Sequence, residues 1–186
     1  MIQKLSNDVW KIELSSNVYF LDMEKKIIID TGTREDRAQL KCLLNKIIPL
    51  EKIDLIIFTH LHYDHIGNTD LFPNAQLYAS KEAIEDFLRD PKGTVLRTDI
   101  AAKITKEFLP IESLKIPGLE FVKTPGHTRG SICIWYEQEK ILFSGDTLFF
   151  SGYGRTDFPT SVFAQYQDSL MKLTNYNYKI LAPGHE

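Results

Sequence analysis

A layered α/β fold, with sheets covered by helices, is the class this sequence predicts. Three observations carry that prediction. Strand-like segments come in groups, amphipathic helical segments separate the groups, and one short strand is apolar throughout. The chain has 186 residues, 43% hydrophobic and 25% charged. That suits one globular domain with a sizeable core, so residues 1–186 are read as a single unit.

The opening segments Val9–Leu14, Asn17–Asp22 and Lys26–Asp30 are strand-like, with polar turns between them. Leu40, Leu43, Leu44 and Ile47 then repeat at helical spacing, with Thr33 and Asp36 placed as a capping box and Pro49 as the stop. Asp54–Phe58 is a continuous apolar run, the signature of a strand buried on both faces. "AQLYA" reads as a strand, and "SKEAIEDFLRD" as a helix capped by Ser80 with a buried stripe of Ala83, Ile84, Phe87 and Leu88. In Arg89–Pro110, the residues Val95, Leu96, Ile100, Ile104 and Phe108 recur at roughly helical spacing. Ordinary helix packing is expected there, with a lid as the alternative. "LEFVKT", "SICIWY" and "KILFSG" are strands, the last two joined as a hairpin at Glu137–Glu139. A helix around Ser161–Leu173 is expected to bury Phe163, Tyr166, Leu170 and Leu173, and "YKILAPGHE" ends as strand then loop.

A net charge of −3 gives no global positive field for nucleic acid or an anionic membrane. There is no apolar run of transmembrane length and no signal-peptide pattern at the start, so a cytoplasmic protein acting on a small molecule is expected. Cys42 and Cys133 form no CxxC pair and are read as small buried hydrophobes, unlinked.

Polar residues of metal-ligand type break the pattern where strands end. His60, His62, Asp64 and His65 follow one strand; His127 ("TPGH"), Asp146 ("SGD") and His185 ("APGH") each follow another. All five histidines of the chain lie in these expected loops, and none falls in a segment read as a helix or mid-strand. Imidazole with carboxylate suits zinc, iron or manganese, and seven donors exceed one tetrahedral ion but suit two ions sharing a carboxylate. Alternation in an extended segment sends His60 and His62 to one side, while Asp64 and His65 follow a turn.

The HxHxDH string His60–His65, followed in order by His127, Asp146 and His185, resembles the metallo-β-lactamase-fold superfamily along nearly the whole chain. The resemblance implies a four-layer αββα sandwich with a dinuclear site at one edge of its two sheets. By it, one metal takes His60, His62 and His127, the other takes Asp64, His65 and His185, and Asp146 bridges. Zinc is the first choice of metal. Asp30 matches a family aspartate that braces the metal loops, although an Asp turning the chain before Thr31 is the plainer reading. "GDTLFFSGYGRTDFP" (145–159) is similar to glyoxalase II-like thioesterases and to persulfide dioxygenases. In that branch Arg155 stands where a basic residue contacts glutathione; Tyr63 and Tyr153, which border the motifs of this sequence, are candidates to line the pocket. The alternatives are an Arg155–Asp157 salt bridge and plain tyrosine packing. A carboxylate at position 146 argues against β-lactam hydrolysis.

The implied reaction is hydrolysis of a thioester, or a related ester or lactone. Two neighbouring cations would lower the pKa of a shared water from ~15.7 towards ~7, and Asp64 or Asp146 would orient it and move its proton. The alternative is a mononuclear Fe(II) persulfide dioxygenase using His60, His127 and Asp146 as its triad. His185 stands next to the end of the sequence, where chains fray, so the metal it binds is expected to be the weaker one.

Overall fold

A computed structural model describes all residues, 1–186. One sheet holds β1 (Ile2–Lys4), β2 (Val9–Ile12), β3 (Val18–Asp22), β4 (Lys26–Ile29), β5 (Leu55–Ile57), β6 (Gln76–Ala79) and β7 (Phe108–Pro110), side by side in chain order. The second holds β8 (Leu119–Lys123), β9 (Ile132–Tyr136), β10 (Ile141–Gly145) and β11 (Ile180–Pro183), in the order β11-β10-β9-β8. Helices α1 (Arg37–Leu44), α2 (Tyr63–Ile66), α3 (Lys81–Arg89), α4 (Pro91–Val95), α5 (Thr98–Ala101) and α6 (Tyr166–Leu173) complete the chain. None is long and apolar enough to cross a membrane.

Period-two alternation builds the layers. Val18, Phe20, Ile28 and Ile56 point to one face of the first sheet, into a core shared with Leu40 and Leu44 of α1 and Ala83 of α3. Their neighbours Tyr19, Leu21, Ile27, Ile29, Leu55 and Ile57 point to the other face and meet Ile132, Ile134, Ile141 and Phe143 of the second sheet. Beyond that sheet, Cys133, Trp135 and Leu142 pack on Leu173 of α6. Helix, sheet, sheet, helix is therefore the layer order, the αββα sandwich expected. Each fully buried Ile or Phe of these cores contributes about 1.5–3 kcal/mol relative to an exposed one.

Strand direction then selects one edge. β4, β5 and β6 are mutually parallel, as are β10 and β11, while β9 runs antiparallel to both β8 and β10. Consequently the loops after β8, β10 and β11 leave the second sheet on the same side.

Several local expectations differ from the structure. The 89–110 stretch packs into the core through Val95, Ile100 and Phe108, but not as one helix. Leu96 takes a left-handed φ of 66° that ends α4, and the chain restarts as α5 and then β7. Leu88 is 76% and Phe163 70% exposed, because α3 buries Asp86 in place of Leu88 and α6 begins only at Tyr166. No capping box forms at α1: Thr33 Oγ1 accepts from Glu35 N, and the Asp36 carboxylate accepts from Ser15 N. Cys133 is buried as expected, Cys42 is exposed on α1, and both are free thiols.

Candidate metal centre

β5 ends at Ile57, and His60 and His62 follow in extended chain, with Leu61 between them turned into the core. α2 then begins at Tyr63, so Asp64 and His65 leave the backbone from a helical turn in a different direction. The alternation expected from the motif is thus realised by a strand-like segment abutting one turn of helix. His127, Asp146 and His185 arrive from the loops after β8, β10 and β11.

All seven predicted donors converge. His60 Nε2 lies 3.1 Å from His62 Nδ1 and 3.3 Å from His127 Nε2, and the last two nitrogens are 3.0 Å apart. His185 Nε2 is 3.3 Å from Asp64 Oδ2. Asp146 stands between these groups, with Oδ1 at 3.3 Å from His65 Nε2 and Oδ2 at 3.6 Å from both His127 Nε2 and His185 Nε2. Donor atoms of His60, His62 and His127 lie within 4.8 Å of one another, as do those of His60, His65 and Asp146, and those of Asp64, His65 and His185.

What lies behind the rings decides which nitrogen faces inwards. His127 Nδ1–H donates to the Arg155 carbonyl at 2.7 Å, and His185 Nδ1–H to the Ser15 carbonyl at 2.8 Å. His65 Nδ1–H donates to Asp30 Oδ2 at 2.8 Å. The Thr59 hydroxyl gives its proton to Asp30 Oδ2 at 2.7 Å and so accepts from His60 Nδ1 at 3.2 Å. Four rings are thereby fixed with the Nε2 lone pair aimed at the centre, the arrangement that orients and strengthens metal-binding imidazoles. Lone pairs facing one another at this range repel unless a cation stands among them. His65 Nε2 and Asp146 Oδ1 are buried with no hydrogen-bond partner at all. The donor set fits divalent cations.

Charge agrees with geometry. Burial, reinforced by neighbouring imidazoles, holds His60 well below the usual histidine range and His62 down at about 3. Burial also lowers His127. For His65 burial acts downwards, but the carboxylates of Asp146 and Asp30 more than reverse it. Burial likewise opposes ionisation of Asp64 and Asp146, and the imidazoles around them outweigh it, so both carboxyls titrate below their ordinary value. His60, His62 and His127 are thus held neutral, whereas His65 and His185, both raised by the carboxylates beside them, hold protons that a bound cation would displace.

Asp30 lies behind the loops that carry His60 and His65. Its backbone sits at φ 57°, and its carboxylate accepts from Thr59 N, Thr59 Oγ1 and His65 Nδ1. Sequence reasoning missed Thr59, although its place beside the motif marks it. It also missed the carbonyls of Ser15 and Arg155, which no side-chain identity signals. Phe158, likewise unread, lays its ring 4.9 Å from His62 and 5.5 Å from His127.

The residues expected to touch substrate scatter. Tyr63 lines an open cavity of about 430 Å³ with Asp64, His185, Glu35 and Arg97, and the Arg97 guanidinium lies 5.4 Å above its ring. Tyr153 lines a separate apolar groove with Phe163, Tyr166 and Leu170. Arg155 is exposed, paired with Asp157 through two hydrogen bonds of 3.0 and 2.7 Å and stacked over Phe158.

The chain belongs to the metallo-beta-lactamase superfamily, whose sequence profile matches residues 12–185. It is 36% identical to a probable metallo-hydrolase of Methanocaldococcus jannaschii, over 92% of this chain and 87% of that protein. A hydroxyacylglutathione hydrolase of Francisella tularensis is 31% identical over 73% of this chain, which spans 50% of that protein's length. The crystal structure of a metallo-beta-lactamase family protein from Thermus thermophilus superposes with a TM-score of 0.80 at 23% identity, covering 98% of this chain and 75% of that one. That likeness is one of fold.

Proposed function

We propose that the protein is a metal-dependent hydrolase of a small-molecule thioester, or of a related ester or lactone. The observation that carries this reading is the sharing of Asp146 between two donor groups that face each other. His60, His62 and His127 would hold one divalent cation, and Asp64, His65 and His185 the other, with Asp146 common to both. Zinc suits the set first, then iron or manganese. Bound there, such cations supply a nucleophilic water at neutral pH and a Lewis acid for the oxyanion of acyl transfer.

The chain's own residues supply the rest. Asp64 is ionised and its side chain is 22% exposed at the cavity mouth, so it can accept a hydrogen bond from an attacking water and orient it. Asp146, more deeply buried, orients the same region from behind. Phe158 walls off His62 and His127 from solvent on one side. Tyr63 gives the cavity an aromatic face, and Arg97, held over that ring and paired with Glu35 and Asp99, makes its rim polar. Support for a hydrolase comes from the Methanocaldococcus relative, and for the thioester class from the Francisella relative.

The test is removal of metal by chelation, then reconstitution with zinc, iron or manganese and assay on thioesters, esters and lactones. Thioester turnover that vanishes with the metal and returns with it is expected. Turnover surviving complete metal removal overturns the proposal. Oxygen consumption on a persulfide with one iron per chain replaces it with a dioxygenase.

A further inference from the structure

The turn between β2 and β3, with Lys11 and Tyr19 on either side of it, grips the segment that carries His185 along its length. Asn17 N donates to the Gly184 carbonyl at 2.7 Å, and Asn17 Nδ2 to the Pro183 carbonyl at 3.0 Å. The Tyr19 hydroxyl donates to the same Pro183 carbonyl at 2.7 Å. Ser15 offers its carbonyl to His185 Nδ1, and Lys11 forms an ion pair with Glu186. On the opposite side Gly184 N donates to the Gly145 carbonyl at 2.8 Å, next to Asp146. A Cβ on Gly184 would lie 2.3 Å from Asp146 Oδ1, so the segment is held as near to that carboxylate as a backbone can come.

These contacts exceed what packing two sheets demands. Asn17 is 1% exposed, its side chain donates to the segment carrying the ligand, and its Oδ1 has no partner. A buried polar side chain used in this way is costly unless the bond it makes is needed. Among the donors of the second group, Asp64 and His65 share one helical turn, whereas His185 comes from the far end of the chain. Its placement therefore depends on whatever ties residues 183–185 to the rest of the molecule.

We propose that the turn at residues 13–17, with Tyr19 after it, is the positioning element for His185, and that Asn17 is its principal positioning residue. Resting on the two-cation reading above, this assigns affinity for one ion to residues that touch neither cation. Loss of the Asn17 side-chain amide and the Tyr19 hydroxyl leaves the Pro183 carbonyl without either donor and lets the Pro183–His185 backbone drift. The group Asp64, His65 and His185 then opens, while His60, His62 and His127 stay in place.

The full chain, its Asn17→Ala and Tyr19→Phe variants and the double variant are stripped with chelator and titrated with Co(II), reading visible absorption and bound metal. The unaltered protein is expected to take two equivalents. In the double variant one equivalent should bind as before and the other at least ten-fold more weakly, with a changed spectrum for that ion alone. Tyr19→Phe keeps the ring that packs 5.1 Å from Phe143, so it folds, and it should show a smaller weakening in the same equivalent. Unchanged affinity for both equivalents, or equal weakening of both, overturns the positioning role. A single equivalent in the unaltered protein overturns the two-cation reading and this assignment with it.

Discussion

His65 Nδ1 and Asp30 Oδ2 lie 2.8 Å apart in a pocket closed to solvent, and the same carboxylate accepts the Thr59 hydroxyl and amide. Asp30 thus stands behind two imidazoles at once, His65 directly and His60 through Thr59. Replacing it with Asn removes the charge and gives one of its three donors no acceptor. Asp30→Asn should lower metal affinity 10- to 100-fold, measured by competition with a chromogenic chelator. Affinity within two-fold of the parent would mean that Asp30 only turns the chain.

Metal removal should also be visible in stability. Ligand held at 100 times its Kd stabilises a fold by about 2.7 kcal/mol, and in a chain of this size each kcal/mol moves the melting temperature by roughly 2–4 °C. Dialysis against a strong chelator should therefore lower the melting temperature by roughly 5–10 °C per ion lost. Zinc, but not magnesium, should restore it, because imidazole is a poor donor to magnesium.

Arg155 separates side chain from backbone. Its carbonyl holds His127, whatever the side chain does, so Arg155→Lys should keep its full metal content. Its exposed guanidinium is paired only with Asp157 and stacked on Phe158 beside the centre. If that planar fork receives a substrate carboxylate, Lys should raise KM several-fold and leave kcat nearly unchanged. Unaltered kinetics on every hydrolysed thioester would leave the Asp157 pair as its whole role.

The two cysteines should behave oppositely. Cys42 is exposed and should react at once with a thiol reagent, whereas Cys133 should react only on unfolding. Burial pushes the Cys133 thiol up to about 11, above the ~8.5 of a free cysteine. A group raised in the folded state gives stability that is fully present below its unfolded value and lost as pH climbs through its folded one. Denaturant titrations should show the stability gap between the parent and Cys133→Ala narrowing from about pH 8.5 upwards, by at most ~1.4 kcal/mol per pH unit. A gap that stays constant to pH 11 would contradict that assignment.

How far the site could be read from residues depends on whether side chains or backbone do the work. The histidines and aspartates are legible because metal donors at strand ends have few other uses, and β5 is legible because Leu55, Ile56 and Ile57 feed cores on both faces. The Ser15 and Arg155 carbonyls are invisible, since any residue presents the same C=O. β1 and β7 escape because each is three residues long at a sheet edge, too short for alternation to register. The broken 89–110 stretch shows the converse: apolar residues at helical intervals reach one core from two helices and a strand, because burial constrains where side chains end and not the path between them.

Gly154 tests that dependence on backbone most directly. A Cβ there would sit 2.1 Å from the Asp146 carbonyl oxygen and 2.9 Å from His127 Nδ1. The first of these is to backbone, which no side-chain rotation relieves, so Gly154→Ala must move the loop before Arg155 and pull its carbonyl away from His127. The displacement falls on His127, one of the group proposed to hold an ion, and on Asp146, and the three hydrophobic cores are untouched. Far-ultraviolet circular dichroism should therefore match the parent, while zinc affinity falls more than 10-fold, the scale seen when an imidazole loses its supporting partner. A variant that keeps both full zinc content and thioester turnover would show that His127 needs no such support, and the order of events from backbone to imidazole to cation would have to be given up.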